Sequence, residues 1–96
     1  MTVKLFYLYN MDGDLVDIST ADLSYMASEG STVSTKVFSD EAETIVGGDL
    51  ASHLKFLEDE LRIHWTTLDA EAKTKLITLE EKLRERLGFQ DTKVLP

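Results

Sequence analysis

The spacing of apolar residues changes from an alternating to a helical period near residue 39, and this change constrains the fold more than any other feature of the chain. In residues 3–9 the side chains alternate between two faces that are both apolar, which is typical of the central strand of a sheet. After residue 49 the leucines recur at spacings of four and three, the period of an amphipathic helix. Strands followed by helices predict an α+β fold, in which a small antiparallel sheet is covered on one face by an antiparallel helical hairpin.

A tight turn at Asp12-Gly13 separates the first two predicted strands. Glycine adopts a positive φ without steric cost, so an Asp-Gly pair between apolar segments favours a β-hairpin. Residues 15–19 then form the returning strand, and residues 32–38 form a further one, because branched residues alternate along both segments.

Residues 23–28 fit two different structures. They could form a strand that turns at Glu29-Gly30 into the next one, or a short helix, since Ser19 and Asp22 have the spacing of a capping box. We favour the strand, which gives a sheet of three to four strands.

Three helical segments are predicted after the sheet. Ser39 or Asp40 can cap a short helix that ends or bends at Gly47-Gly48, because glycine is unfavourable inside a helix. Asp49 can cap a long helix whose apolar stripe is widened on its flanks until it covers about 200° of the circumference. The members of this stripe and its flanks are Leu50, Leu54, Phe56, Leu57, Leu61, Ile63, His64, Trp65 and Leu68.

The last helix is predicted from about Asp69 to Leu87, with Gly88 at its C-terminal cap. Its short connection to the long helix makes the two antiparallel neighbours. We therefore expect a single α+β domain over residues 1–96, with a β-sheet part at 1–38, a helical part at 39–88 and a C-terminal tail at 89–96.

Composition excludes several classes of protein. The 96 residues include no cysteine, so the chain has no disulfide, thiol nucleophile or cysteine-based metal site. No apolar run approaches the roughly 18 residues that a membrane-spanning helix needs. We expect a cytoplasmic protein that uses no cofactor.

The net charge of −8 is concentrated in the first part of the chain. Residues 1–60 contain 12 acidic and 3 basic residues, whereas the remainder is nearly balanced. Binding to nucleic acid or to an anionic membrane needs cations that neutralise phosphate, so neither is expected to bind directly. A partner protein with a basic surface is favoured instead.

The residues that could support catalysis or metal binding do not form a recognisable set. His53 and His64 are 11 residues apart, about 16 Å along a helix, so they cannot share a metal ion or a substrate atom. Asp12, Asp14 and Asp17 lack the spacing of an EF-hand loop. The sequence thus predicts no catalytic residue and no metal site.

The remaining candidates are acidic. Glu58, Asp59 and Glu60 are consecutive in a helix and point about 100° apart, which is typical of a solvated helix face. They could also form part of an acidic partner-binding surface. The full predicted set for that surface is Asp40, Glu41, Glu43, Asp49, Glu58, Asp59 and Glu60.

The sequence favours a non-enzymatic regulator or inhibitor that presents this acidic surface to a basic site of a partner protein. In its strongest form the carboxylates take the place of phosphates in a nucleic-acid-binding groove, as in a DNA mimic. The alternative is a structural or assembly protein that forms a homodimer through its apolar helix face and C-terminal tail.

Overall fold

The computed structural model describes residues 1–28, 30–41 and 49–88. Three strands, β1 (Thr2–Tyr9), β2 (Leu15–Ser19) and β3 (Thr32–Ser39), are followed by two helices, α1 (Leu50–Ile63) and α2 (Ala70–Leu87). The predicted α+β fold with its C-terminal helical pair is confirmed.

β1 is the central strand of a three-stranded antiparallel sheet with the order β2-β1-β3. Its partners run from Thr2↔Ser39 to Tyr9↔Thr32 on β3 and from Phe6↔Ser19 to Tyr9↔Leu15 on β2, where the register shifts after Leu8. The hairpin between β1 and β2 turns as predicted, with Gly13 at φ 84°.

The two helices pack on one face of the sheet and form the core with it. β1 contributes the buried residues Val3, Leu5 and Tyr7. Leucines of both helices pack against them, because each helix carries these leucines on one side. These helix residues are Leu54, Leu57, Leu61, Leu76, Leu79 and Leu83.

The prediction of a strand at residues 23–28 was wrong. Only a single 3₁₀ turn, Ser24–Met26, lies there. Because β1 lies between β2 and β3, the connection must cross the sheet from one edge to the other, so it cannot pair as a hairpin strand. The Asp22 carboxylate accepts the Ser24 N–H at 2.8 Å and starts the turn.

The long helix is shorter and its buried face narrower than predicted. α1 ends at Ile63, and Leu68 instead forms an isolated parallel bridge with Ile18 of β2. Phe56 is 46% and Ile63 62% exposed, so the flank of the apolar arc that they form is partly uncovered. The inner side of Phe56 contacts β3, where its ring centroid lies 5.6 Å from that of Phe38.

The ends of both helices follow the sequence. The Asp49 side chain accepts the Ser52 N–H at the start of α1, and the Asp69 side chain accepts the Ala72 N–H at the start of α2. Gly88 ends α2 in the left-handed conformation. The predicted short helix before Gly47-Gly48 and the tail at 89–96 lie outside the described residues, apart from Ser39, which ends β3, and Asp40 and Glu41, which are not helical.

Candidate functional site

A buried carboxylate, that of Glu60 on α1, forms a polar centre where the helices meet the sheet. The Glu60 residue is only 6% exposed. Its Oε1 atom accepts hydrogen bonds from the Tyr7 hydroxyl at 3.2 Å and from the Lys36 ammonium, while Oε2 lies 3.0 Å from His64 Nε2. Both oxygens are used, so this carboxylate joins α1 to β1 and β3.

Tyr7 is held in its protonated form within this centre. Burial raises the pKa of the Tyr7 hydroxyl well above its ordinary value of 10, and the neighbouring Glu60 charge raises it further. The Lys36 ammonium lies 4.8 Å from the centroid of the Tyr7 ring, where it also interacts with the π face. The phenol therefore donates a hydrogen bond and does not act as a base, and the cluster is suited to holding elements together.

A second polar cluster joins the two helices. Arg84 of α2 donates from Nε to Glu80, one turn earlier, and from NH2 to Glu58 of α1 at 2.5 Å. Glu80 is 2% exposed, and desolvation raises the pKa of its carboxyl. Glu58 is thus committed to an interhelical contact in the interior.

Asp40 and Glu41 lie together at the N-terminus of the chain. The terminal ammonium of Met1 is 2.5 Å from Asp40 Oδ1 and 3.8 Å from Glu41 Oε1. Lys82 Nζ also lies 3.9 Å from Asp40 Oδ2. The hydrogen bond to the terminal amine lowers the pKa of the Asp40 carboxyl, and this cluster fixes the start of β1 to the end of β3.

The other predicted acids have local roles. The Asp49 carboxylate caps α1, and the backbone N–H of Ser52 lowers its pKa. Asp59 lies 2.9 Å from Arg62 and 3.6 Å from Lys55 on the solvent side of α1. Glu43 lies outside the described residues.

The predicted set is therefore spread over the molecule. Glu58 faces α2, Glu60 faces the sheet, and only Asp59 of the three consecutive acids occupies the solvated face expected of all of them. That expectation was wrong for Glu58 and Glu60, because sequence spacing gives the angle between side chains but not which neighbours surround the helix. Asp40 and Glu41 are brought together, but around the terminal amine of the same chain.

The carboxylates that lack an opposite charge among the described residues lie elsewhere, on the β1–β2 hairpin. Asp12, Asp14 and Asp17 form no ion pair in this part of the chain. Asp22 lies in the loop after β2, where the hydrogen bond from Ser24 lowers the pKa of its carboxyl and the Lys4 charge lowers it further. Asp12, Asp14 and Asp17 are not among the residues predicted for the binding surface. A signal was present, however, because no Lys or Arg occurs between positions 4 and 36.

Nothing in the described residues points to a metal centre or a membrane span. No three carboxylate or imidazole side chains in this part of the chain come close enough together to hold a metal ion. Neither α1 nor α2 combines the length and the apolarity that crossing a membrane requires.

Comparison with known proteins gives no match to a family model, to a curated protein or to a solved structure.

Proposed function

We propose that this chain is a non-enzymatic binding protein that presents an acidic surface to a basic site on a partner protein. The observation that carries the proposal is that some carboxylates are paired with cations of the same chain, whereas others are not. On the helices most acids meet a cation of the same chain, whereas Asp12, Asp14 and Asp17 on the β1–β2 hairpin meet none among the described residues. Charges that are not neutralised internally are available to steer and bind a cationic partner.

The acidic surface of the proposal centres on the hairpin, with Glu41, Asp49 and Asp59 as solvent-accessible members of the original set. Glu58 and Glu60 contribute to it only through the long-range potential, because contact with a partner would require them to leave Arg84 and Lys36. In this form the protein competes for a basic groove, and nucleic acid is the ligand that it would displace there.

Two observations support a non-enzymatic role. The buried titratable groups, Tyr7, Glu60 and Glu80, take part in hydrogen bonds and ion pairs that hold elements of the fold together. Among the described residues no buried side-chain polar atom lacks a partner, so none is an unsatisfied group of the kind that can mark a catalytic site.

The test is capture of a partner from the source cell, followed by titration of the purified partner at several salt concentrations. We expect affinity to fall steeply as ionic strength rises, because the attraction is between exposed charges. The variant Asp12→Asn/Asp14→Asn/Asp17→Asn should weaken binding by about tenfold at low salt.

A control variant with the same change in charge is Glu71→Gln/Glu81→Gln/Glu85→Gln, whose substitutions lie on α2. We expect it to bind nearly as tightly as the parent chain. Affinity that does not depend on salt, or equal losses in the two variants, would contradict the proposal.

A further inference from the structure

We propose that the outer edge of β3, which no described residue pairs with, is a self-association site, at which a second copy of this chain adds its own β3 in antiparallel orientation to form a continuous six-stranded sheet. This inference goes beyond the proposed function and does not rest on it. It follows from the hydrogen-bonding pattern of β3, from the sequence along its edge and from the uncovered flank of α1.

The hydrogen-bond pattern identifies which backbone groups of β3 face outward. The Asp40 N–H donates to the Met1 carbonyl at 3.2 Å, so this pair continues the β1–β3 ladder as a hydrogen-bonded pair. Because such pairs alternate along antiparallel strands, the backbone groups of Val33, Thr35 and Val37 point away from β1. No described residue accepts or donates a hydrogen bond at these three positions.

The open part of the edge has a defined end. The Ser39 N–H, next in the outward series, donates to Nε2 of His53 at 3.0 Å and is therefore already used. The available stretch is residues 33–37, and its centre is Thr35. A two-fold axis at Thr35 pairs Thr35 with its own copy and Val33 with Val37 of the second copy, and every outward N–H and carbonyl in the stretch then finds a partner.

The side chains of this stretch suit that pairing. Val33, Thr35 and Val37 are β-branched residues on the sheet face opposite the helices, and cross-strand pairs of such residues stabilise a sheet. Natural edge strands are commonly protected by a proline, a bulge or a charged side chain. β3 has no proline and no bulge against β1, and the charge of Lys36, its one charged residue, is neutralised by Glu60 within the same chain.

The uncovered flank of α1 lies on the same side as this edge. Phe56 packs against Phe38 of β3, with 5.6 Å between ring centroids. On the helix it lies about 200° from Glu58, which faces α2, so Phe56 and Ile63 project away from α2. A two-fold axis perpendicular to the sheet places both helical layers on one face, and the two exposed flanks then meet each other across the dyad.

Charge placement also favours a second copy. The hairpin acids lie on β2 and its turn, and β2 is at the far edge of the sheet, about 10 Å from β3. The strongly acidic regions of two copies are thus kept apart. An isologous contact of this kind closes after two subunits and leaves the hairpins free.

The experiment is sedimentation equilibrium of the full chain from micromolar to millimolar concentration, combined with amide hydrogen exchange by NMR. We expect a reversible dimer whose formation protects the amides of Val33, Thr35 and Val37. The amides of Ser34 and Lys36 should be protected at all concentrations, because they bond to β1 within the monomer. A chain that stays monomeric throughout would overturn the proposal, and so would a dimer that leaves the three outward amides unprotected.

Two matched variants test the two-fold axis at Thr35. In Val33→Lys/Val37→Lys each lysine opposes another, and the dissociation constant should rise by about tenfold or more. In Val33→Lys/Val37→Glu each lysine opposes a glutamate of the second copy, and dimerisation should be kept. Both variants change only side chains on the outer sheet face, and circular dichroism checks that they fold. Equal dimerisation by the two variants would contradict the proposed register.

Discussion

The Lys36 ammonium on β3 meets the Glu60 carboxylate on α1, 24 residues later in the chain, at the seam between the sheet and the first helix. Lys36 is partly exposed, whereas Glu60 is enclosed by Tyr7, Lys36 and His64. A buried carboxylate is costly unless its oxygens are paired, so this contact fixes which face of α1 turns towards the sheet.

Replacing Glu60 should therefore destabilise the fold substantially. In Glu60→Gln the side chain keeps its shape but loses its charge, and Lys36 and His64 are left beside a neutral amide. Removing one partner of a buried ion pair is strongly destabilising. The loss is smaller here because the Lys36 side chain is a third exposed and keeps some hydration. We expect the free energy of unfolding in urea to fall by about 2 kcal/mol.

The matched control is Asp59→Asn, one position earlier on the same helix. Asp59 pairs with Lys55 and Arg62 on the solvent side, and exposed pairs of this kind contribute little. Its unfolding free energy should stay close to that of the parent chain. Similar losses in the two variants would show that the Glu60 cluster is not a structural centre.

His53 makes the stability depend on pH. Its Nε2 accepts the Ser39 N–H, which requires the neutral ring, and burial lowers the pKa of the imidazole below its ordinary 6.5. The folded state thus binds a proton less readily than the unfolded chain. The neutral His53 ring makes its full contribution to the free energy of unfolding above pH 6.5. That contribution is lost as the pH falls from 6.5 through the lowered pKa of the folded state.

Urea unfolding of the parent chain and of His53→Gln at pH 7.5 and pH 5.5 measures this effect. The glutamine amide can still accept the Ser39 N–H but does not titrate in this range. We expect the parent chain to lose more stability than the variant over the interval. An equal loss in both would assign the pH dependence to other groups.

The sequence predicted the order of the elements because each one carries its own periodic or capping signal. β1 was correctly placed at the centre, since both of its faces are apolar, and Asp49, Asp69 and Gly88 mark helix ends through local chemistry. Residues 23–28 were assigned wrongly. Their sequence permits a strand, but whether a strand can pair there depends on the order of strands in the sheet, a property that local spacing does not contain.

The candidate site was harder to predict for the same reason. An acid at position 58 or 60 looks the same in sequence as one at position 59, and only the positions of α2 and β3 decide that Glu58 and Glu60 turn inward. The absence of basic residues around Asp12, Asp14 and Asp17 could be seen in the sequence. The sequence does not show, however, which basic residues the fold brings close to these three acids.

The N-terminal cap of α2 should contribute measurably to stability. Asp69 accepts the Ala72 N–H at 2.7 Å, and the Ser19 hydroxyl of β2 lies 3.4 Å from the same carboxylate. Asp69→Ala removes both contacts and should cost about 1 kcal/mol in thermal or urea unfolding, whereas Asp69→Asn should retain most of that. If alanine and asparagine behave alike, the cap does not stabilise α2.

The cluster of Glu58, Glu80 and Arg84 should lose far more stability when its cation is removed than when its buried acid is neutralised. In Arg84→Met two carboxylates remain close together with no cation between them, one of them almost fully buried. Removing one partner of a buried pair costs about 3–5 kcal/mol, so we expect a loss in that range at pH 7. In Glu80→Gln the amide still accepts from Arg84 and Glu58 keeps its cation. Because burial raises the pKa of Glu80 above its ordinary 4.5, the folded state favours the uncharged form of this carboxyl, and the loss should be below about 1 kcal/mol.

The same pKa shift makes the loss of stability in Arg84→Met smaller as the pH falls towards 4.5, since the folded state then takes up a proton at Glu80 before the unfolded chain does. Urea unfolding of the three chains at pH 7.5 and pH 5 measures both effects. A greater loss in Glu80→Gln than in Arg84→Met would contradict this account of the cluster.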